Sequence, residues 1–418
     1  MSMSTIPRDG YLASSKTSSR SNKHSESYNE SSYYANQASS ARFSASTIAI
    51  DSSLASDIGQ DNPAIQQWRL PRNWNWKGGL TRPDDVVIID PSTSTLPITE
   101  YPLPSSTKQS SVVGFSHATV SRVICQRKVL ARKTEPLPRS KSAYHLEEMR
   151  ILKQLNHQHI IQLCGAYVLG KQYHCLLYPV AELDLVRFMH LGRNDDSPNW
   201  VRTLTKGMGC LSNALAYLHA KGIRHRDIKP ANILVLGDVM IFADFGSARK
   251  ENDTRTESYV SPEMGAKSYS SDGMTWHYMA PECVDSRGHG KSADIFSLGL
   301  VMGEILDYIF WSSYPKSRVS SVERRLEEYR LNKRDSAQYN PLPMTREEES
   351  FSKHLLNAGG VISEKDTRLL CSIMTAKDPL KRPSADRVWN FFRKRYFDVL
   401  LGSPSGDGYP PTCGKCCD

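Results

Sequence analysis

Three side chains suited to handling a phosphoryl group stand close together in His225-Arg226-Asp227-Ile228-Lys229-Pro230-Ala231-Asn232. A carboxylate can orient an incoming hydroxyl and accept its proton, and an ammonium can meet the transferring group as a point charge. An amide can help to hold a divalent cation. Twelve residues beyond Asn232 comes Asp244-Phe245-Gly246, preceded by the apolar run Val239-Met240-Ile241-Phe242. A carboxylate delivered from the end of a buried strand is well placed to bind a cation, and Gly246 permits the backbone turn that aims it.

At this spacing the two segments resemble the catalytic loop and the metal-binding loop of the eukaryotic protein kinase family, whose pattern is His-Arg-Asp with Asn five positions after the Asp. The resemblance implies ATP and Mg²⁺ as cofactors, with Asp227 as catalytic base and Asn232 and Asp244 as metal ligands. Lys229, two positions after the Asp, resembles the serine/threonine branch rather than the tyrosine branch. Ala131-Arg132-Lys133 resembles the family's Ala-x-Lys, which puts Lys133 at the end of a strand against the α- and β-phosphates. Its expected partner is Glu148 on the following helix, with the neighbouring Glu147 facing solvent.

The phosphate-covering loop departs from the family's Gly-x-Gly-x-x-Gly-x-Val. Here the stretch is Val112-Val113-Gly114-Phe115-Ser116-His117-Ala118-Thr119-Val120. Anchoring it on Val120 puts Val113, Phe115 and Ala118 at the glycine positions, with Gly114 one residue out of register. Backbone N–H groups remain, but Cβ atoms restrict their approach to phosphates, so weakened or slower nucleotide handling is expected. Leu176-Leu177-Tyr178-Pro179-Val180 resembles the hinge that reads adenine. Leu177 is then the gatekeeper, Tyr178 presents a carbonyl and Val180 an N–H, while Val120, Ala131 and Leu234 enclose the ring. Leu152, Leu163, His225 and Phe245 are expected to stack as an apolar column. Tyr278-Met279-Ala280-Pro281-Glu282 resembles the family's Ala-Pro-Glu, with Arg382 the expected partner of Glu282. Asp294 resembles the residue that steadies the catalytic-loop backbone.

These residues need a frame to hold them. A chain of 418 residues that is 39% hydrophobic with seven Trp can fill at least one substantial core. From Val112 the pattern runs through short strands, a helix, further strands and then a mostly helical remainder. Val112 to Val120, Val123 to Lys133 and residues 171 to 178 read as strands. Lys141 to Leu155, Gly209 to Lys221 and Ser292 to Leu306 read as helices. The expected fold is α+β: the bilobal protein kinase fold, with a small β-rich N-lobe and a larger α-helical C-lobe, over residues 111 to 396.

Residues 1 to 65 are expected to be disordered, since the first 50 contain 15 Ser and almost no long aliphatic run. Residues 66 to 110 read as a partly ordered extension or linker. In it Val86 to Ile89 read as a short strand of a flap packed on the catalytic domain, and Pro91 to Ser110 as a linker or irregular wrap. Residues 312 to 350 read as an enlarged insert or a charged surface helix, and 397 to 418 as a flexible Cys-containing tail. That tail's Cys413-Gly414-Lys415-Cys416-Cys417 is half a metal site without a second Cys pair at zinc-finger spacing.

The net charge of +9 lies entirely beyond residue 110, because residues 1 to 110 carry 10 basic and 10 acidic side chains. It suits ATP or a phosphate-bearing loop as well as nucleic acid, and gives no clear sign of nucleic-acid binding. Nine Cys without a regular framework suit a reducing compartment, so an intracellular place, cytoplasm or nucleus, is expected. No run of 18 apolar residues offers a transmembrane segment. The sequence thus resembles a serine/threonine kinase acting on protein substrates; the alternative is a pseudokinase serving as a binding or scaffolding module, given its degenerate glycine loop. Asp184 and Glu304 incline the substrate toward upstream basic residues. By the same resemblance, control is implied through Arg226 and Arg249 as a cationic pocket for a phosphate on Ser271, with Ser268, Ser270, Thr254, Thr256 and Ser258 as fallbacks and Thr275 contacting the catalytic Asp.

Overall fold

The computed structural model describes Leu70, the strands at 87–89, 98–100 and 112–113, and residues 118–136, 142–181, 183–192, 198–251, 278–284, 290–310, 360–393 and 395–397. Every described residue belongs to the compact unit Asp61–Asp418.

The small lobe opens with β1 (Val87–Ile89), β2 (Ile98–Glu100) and β3 (Val112–Val113). A hairpin of β4 (Thr119–Cys125) and β5 (Lys128–Pro136) follows. Val123 to Lys133, expected as one strand, is broken at Gln126 and Arg127, whose φ angles are 48° and 63°. Two consecutive left-handed residues give the tight turn whose twist suits a hairpin, and with neither Gly nor Asn there the sequence carries no mark of it. Lys133 therefore lies inside β5 rather than at its end. Helix α1 (Ser142–Gln154) then leads to β6 (Gln162–Leu169) and β7 (Gln172–Tyr178).

The sheet order is β1-β6-β7-β5-β4-β2, with β3 also on β4. β1 runs parallel to β6, with Val87 opposite Tyr167, whereas β2 lies antiparallel to β4, with Ile98 opposite Cys125. The stretch Pro91 to Ser110, expected to be irregular, thus supplies a strand. Strands from the extension close both edges of the sheet, where unpaired backbone groups would otherwise lie open. Leu70 adds an anchor. Its N–H donates to Gln162 Oε1 at 2.9 Å and its carbonyl accepts from Gln162 Nε2 at 3.3 Å. Its side chain is buried among Val123, Cys125, Leu130, Cys164, Tyr167 and Leu176.

The large lobe begins with β8 (Leu183–Asp184), α2 (Leu185–Gly192) and α3 (Pro198–Ala220). Helix α3 starts at Pro198 rather than Gly209, on a residue whose fixed φ suits the first helical position. Short strands β9 (Ile223–Arg224), β10 (Ile233–Leu236), β11 (Val239–Phe242) and β12 (Arg249–Lys250) carry the site. Beyond them come α4 (Pro281–Val284), α5 (Lys291–Ile309), β13 (Gly360–Ile362), α6 (Glu364–Met374), α7 (Ala385–Arg393) and β14 (Arg395–Phe397). Ser363 and Asp366 form a reciprocal capping box at the start of α6, satisfying donors that the first turn leaves open. α5 and α6 approach closely at Gly299, where a Cβ would lie 2.7 Å from Met374 Cβ. All four residues of β11 are buried, in the same core as Leu211, Leu215 and Phe245. That core is the rigid floor on which the polar loops stand.

Candidate active site

Asp227 and Asp244 are both reached through a residue in the left-handed region. Arg226 has φ 69° and Asp244 φ 57°. Such backbone costs a non-glycine residue about 1–3 kcal/mol and persists where its surroundings over-determine it. At Arg226 the restraint comes from Asp294 in α5. Its Oδ2 accepts from His225 N–H at 2.9 Å and its Oδ1 from Arg226 N–H at 2.8 Å. Burial alone would raise the Asp294 carboxyl, but His219 Nε2, 3.0 Å from Oδ2, and the backbone donors hold it below the usual range. The ionised Asp294 makes His219 Nε2 the protonated nitrogen.

Asp227 is held on two sides. Lys229 Nζ donates to its Oδ2 at 2.9 Å, and Asn232 Nδ2 donates to Oδ2 at 2.8 Å and to the Asp227 carbonyl at 2.9 Å. Both amide protons of Asn232 are thereby directed at Asp227, which leaves the amide oxygen as the atom able to accept a hydrogen bond or to hold a cation. β10 and β11 pair from Ile233 with Phe242 to Leu236 with Val239, and Ala243 N–H donates to Asn232 O at 2.9 Å. The loops bearing Asn232 and Asp244 are thus tied to one two-stranded unit.

The second cluster centres on Lys133. Its Nζ lies 2.9 Å from Asp244 Oδ1, 3.2 Å from Glu148 Oε1 and 3.0 Å from Glu135 Oε1. Burial would lower the Lys133 pKa, but Asp244, Glu148 and Glu135 together carry it well above the ordinary value. Lys133 in turn holds the Asp244 carboxyl at about 2. For Glu148 burial is the largest influence, and with Asp244 and Glu135 it outweighs Lys133 and raises the carboxyl. Glu147, expected to face solvent, has a side chain only 13% exposed and pairs with Arg150 at 3.4 Å. Glu135 escaped the sequence reading, although a residue two positions along a strand shares its neighbour's face.

The rings of His225 and Phe245 are in contact at 4.7 Å between centroids, and Leu152 and Phe245 share one core against which Leu163 packs. Burial keeps His225 below its ordinary pKa, so its ring is neutral at pH 7. Val120, Ala131, Leu177, Tyr178, Val180 and Leu234 are half-buried, and Ala131 lies opposite Leu177 in the sheet. Val112 and Val113 form β3, where Val112 pairs with Val120, and Ala118 is buried. Gly114, Phe115, Ser271 and Thr275 lie outside the described residues, as does the Cys413 to Cys417 tail.

Arg226 and Arg249 are brought together, with Arg224 as a third cation that the sequence reading missed. Burial lowers the Arg226 pKa, and the charges of Arg249 and Arg224 lower it further. Arg224 faces Arg249 across the β9–β12 pair. Arg249 Nη1 donates to Gly246 O at 3.2 Å and Ala248 O at 2.6 Å. Asp184 caps α2 through Arg187 N–H at 2.8 Å, and Glu304 Oε1 accepts from Tyr278 Oη at 2.6 Å. No group of three His, Cys, Asp or Glu among the described residues suits a metal by itself, and no described helix is long and apolar enough to cross a membrane.

A sheet-rich lobe followed by a helical one, joined through paired acidic loops, is the bilobal α+β architecture of kinases. The protein kinase domain profile matches residues 109–392, more than half of the chain, and the protein belongs to the protein kinase family. Among its relatives, the Drosophila melanogaster stress-activated protein kinase JNK is 29% identical over 199 residues, 47% of this chain and 49% of that protein. The Arabidopsis thaliana serine/threonine-protein kinase AtPK2/AtPK19 is 34% identical over 183 residues, 42% of this chain and 34% of its own length. The serine/threonine-protein kinase TIO of the same plant is 30% identical over 215 residues, 50% of this chain and 14% of its own length. The chain spans half or less of each of these relatives.

Proposed function

We propose that this protein transfers the γ-phosphoryl group of ATP to serine or threonine hydroxyls of protein substrates in an intracellular compartment. The observation that carries the reading is the double engagement of Asp244 and Asp227: Lys133 bridges Asp244 to Glu148, while Lys229 and Asn232 converge on Asp227. The donor set fits the nucleotide and its cation. The Asp244 carboxylate and Asn232 amide oxygen are hard ligands of the kind Mg²⁺ prefers, and Lys133 offers a buried positive charge to phosphate. When bound, ATP would supply the phosphoryl group and Mg²⁺ would neutralise its charge.

The protein's own groups do the rest. Asp227 orients the acceptor hydroxyl and takes its proton, Lys229 screens the negative charge near that oxygen, and Asn232 fixes the Asp227 rotamer. Glu148 keeps Lys133 extended so that the phosphates meet a positioned charge. Lys229 and the serine/threonine kinases among the relatives favour an aliphatic hydroxyl as acceptor. The arginines at 224, 226 and 249 support control by a phosphate on Ser271, with Thr275 kept for contact with Asp227. Asp184 and Glu304 support upstream basic residues in the substrate only weakly, since each already accepts a hydrogen bond. The complete set of charged groups supports transfer over a purely binding role. Transfer from labelled ATP to a degenerate peptide library decides it: serine and threonine labelling by the full chain, lost in Asp227→Asn, is expected. A library left unlabelled by the wild-type chain, isolated with its native phosphates, would point to the scaffolding role.

A further inference from the structure

Three different carboxylates surround the Lys133 ammonium: Glu148 and Asp244 accept its hydrogen bonds, and Glu135 pairs with its charge. Asp244 and Glu148 belong to the phosphate-handling set, but Glu135 does not. Glu135 sits two positions further along β5, on the face that carries Lys133, with its Oε1 3.0 Å from Nζ. The ammonium is therefore enclosed by three resident negative charges. A polyphosphate approaching Lys133 must compete with them for its charge.

We infer that Glu135 is a resident electrostatic competitor for Lys133, neutralising charge that the α- and β-phosphates of a nucleotide would engage and thereby setting nucleotide affinity. Exposure and anchoring decide which carboxylate yields. The Glu148 side chain is 4% exposed and would be left as an uncompensated buried charge without Lys133. Asp244 is more open, but its backbone is fixed between β11 and the buried Phe245, and it has the cation to turn to. Glu135 is 19% exposed, so water can rehydrate its carboxylate once it is displaced. Its negative charge also adds to the repulsion that an incoming anion meets. The inference rests on the ATP reading of the site, and it makes Glu135 a positioning residue rather than a catalytic one.

Glu135→Gln removes the charge and keeps the shape. Dissociation constants of ADP and adenosine are measured by calorimetry on the full chain at fixed ionic strength and Mg²⁺. ADP binding is expected to tighten by about tenfold, the scale of removing one partly screened negative charge. Adenosine, which has no phosphates to compete, is expected to bind unchanged. Glu135→Ala should repeat the result, and thermal melts establish that both variants fold. ADP affinity that stays constant or weakens overturns the inference, and so does a parallel shift for ADP and adenosine, which would mark a general change in the cleft. A wild-type chain that binds neither compound would overturn the ATP reading itself. A wild-type chain that binds both, with no selective gain in the variants, would overturn the role of Glu135 alone.

Discussion

Arg382 and Glu282, a hundred residues apart, form a two-pronged ion pair, Nη1 to Oε1 at 2.6 Å and Nη2 to Oε2 at 2.8 Å. The guanidinium side chain has no exposed surface, also donates to the carbonyls of Ala376, Ser292 and Lys377, and lies 4.9 Å from the Phe296 ring centre. The pair ties α4 to the start of α5 and to the loop before α7. Removing one partner strands the other in apolar surroundings, so Arg382→Ala is expected to cost about 3–5 kcal/mol of stability. Denaturant unfolding checks this. Arg382→Lys should restore only part of the loss, because an ammonium cannot make both prongs.

Lys133→Met and Asp244→Ala should each reduce phosphoryl transfer by about a hundredfold or more while leaving the fold intact. In the first variant Glu148 loses its ammonium and takes up a proton rather than remaining a buried charge. Single-turnover transfer from labelled ATP, with circular dichroism as the control for folding, is the measurement. A rate equal to that of the unaltered protein in either variant would remove these residues from the site.

The buried, neutral His225 should make the protein lose stability as pH falls from 7 to 5. An unfolded histidine binds a proton near ~6.5, whereas burial lowers the folded value. Below ~6.5 the unfolded chain therefore holds the extra proton, and stability declines as pH falls toward the folded pKa. Asp294 does not contribute in that window. Its carboxyl is depressed in the fold, so the stability it adds is present above ~3.9 and is lost only at lower pH. Thermal unfolding from pH 5 to 7 should show a shallower slope for His225→Phe. Identical slopes would show that other histidines govern the transition.

Leu70→Ala and Gln162→Ala should each destabilise the protein, the first by about 2–3 kcal/mol for a buried leucine and the second by about 1 kcal/mol for its hydrogen bonds. Because both loosen one anchor, the double variant should lose less than the sum. A double-mutant cycle by chemical denaturation measures the coupling, and strict additivity would mean that Leu70 holds the lobe by packing alone.

The candidate site residues were legible in the sequence by itself. Asp227, Lys229 and Asn232 lie within one loop, and Asp244-Phe245-Gly246 ends an apolar strand, so residue type and short spacing suffice to read them. The order of strands and helices was legible for the same reason, since periodicity is a local property. Other features are decided by contacts between distant segments. The hairpin turn at Gln126-Arg127 carries no turn residue, and its positive φ angles are held by pairing of β4 with β5. The strand at Ile98–Glu100 exists because β4 offers it an edge, and Leu70 is fixed by a glutamine 92 residues away. Arg224 was an ordinary charge until the β9–β12 pair set it beside Arg249, whereas Glu135 was legible from strand periodicity alone. A charge acquires its partners, and so its role, from the low-dielectric space that the folded chain encloses, and neighbours in that space are not neighbours in sequence.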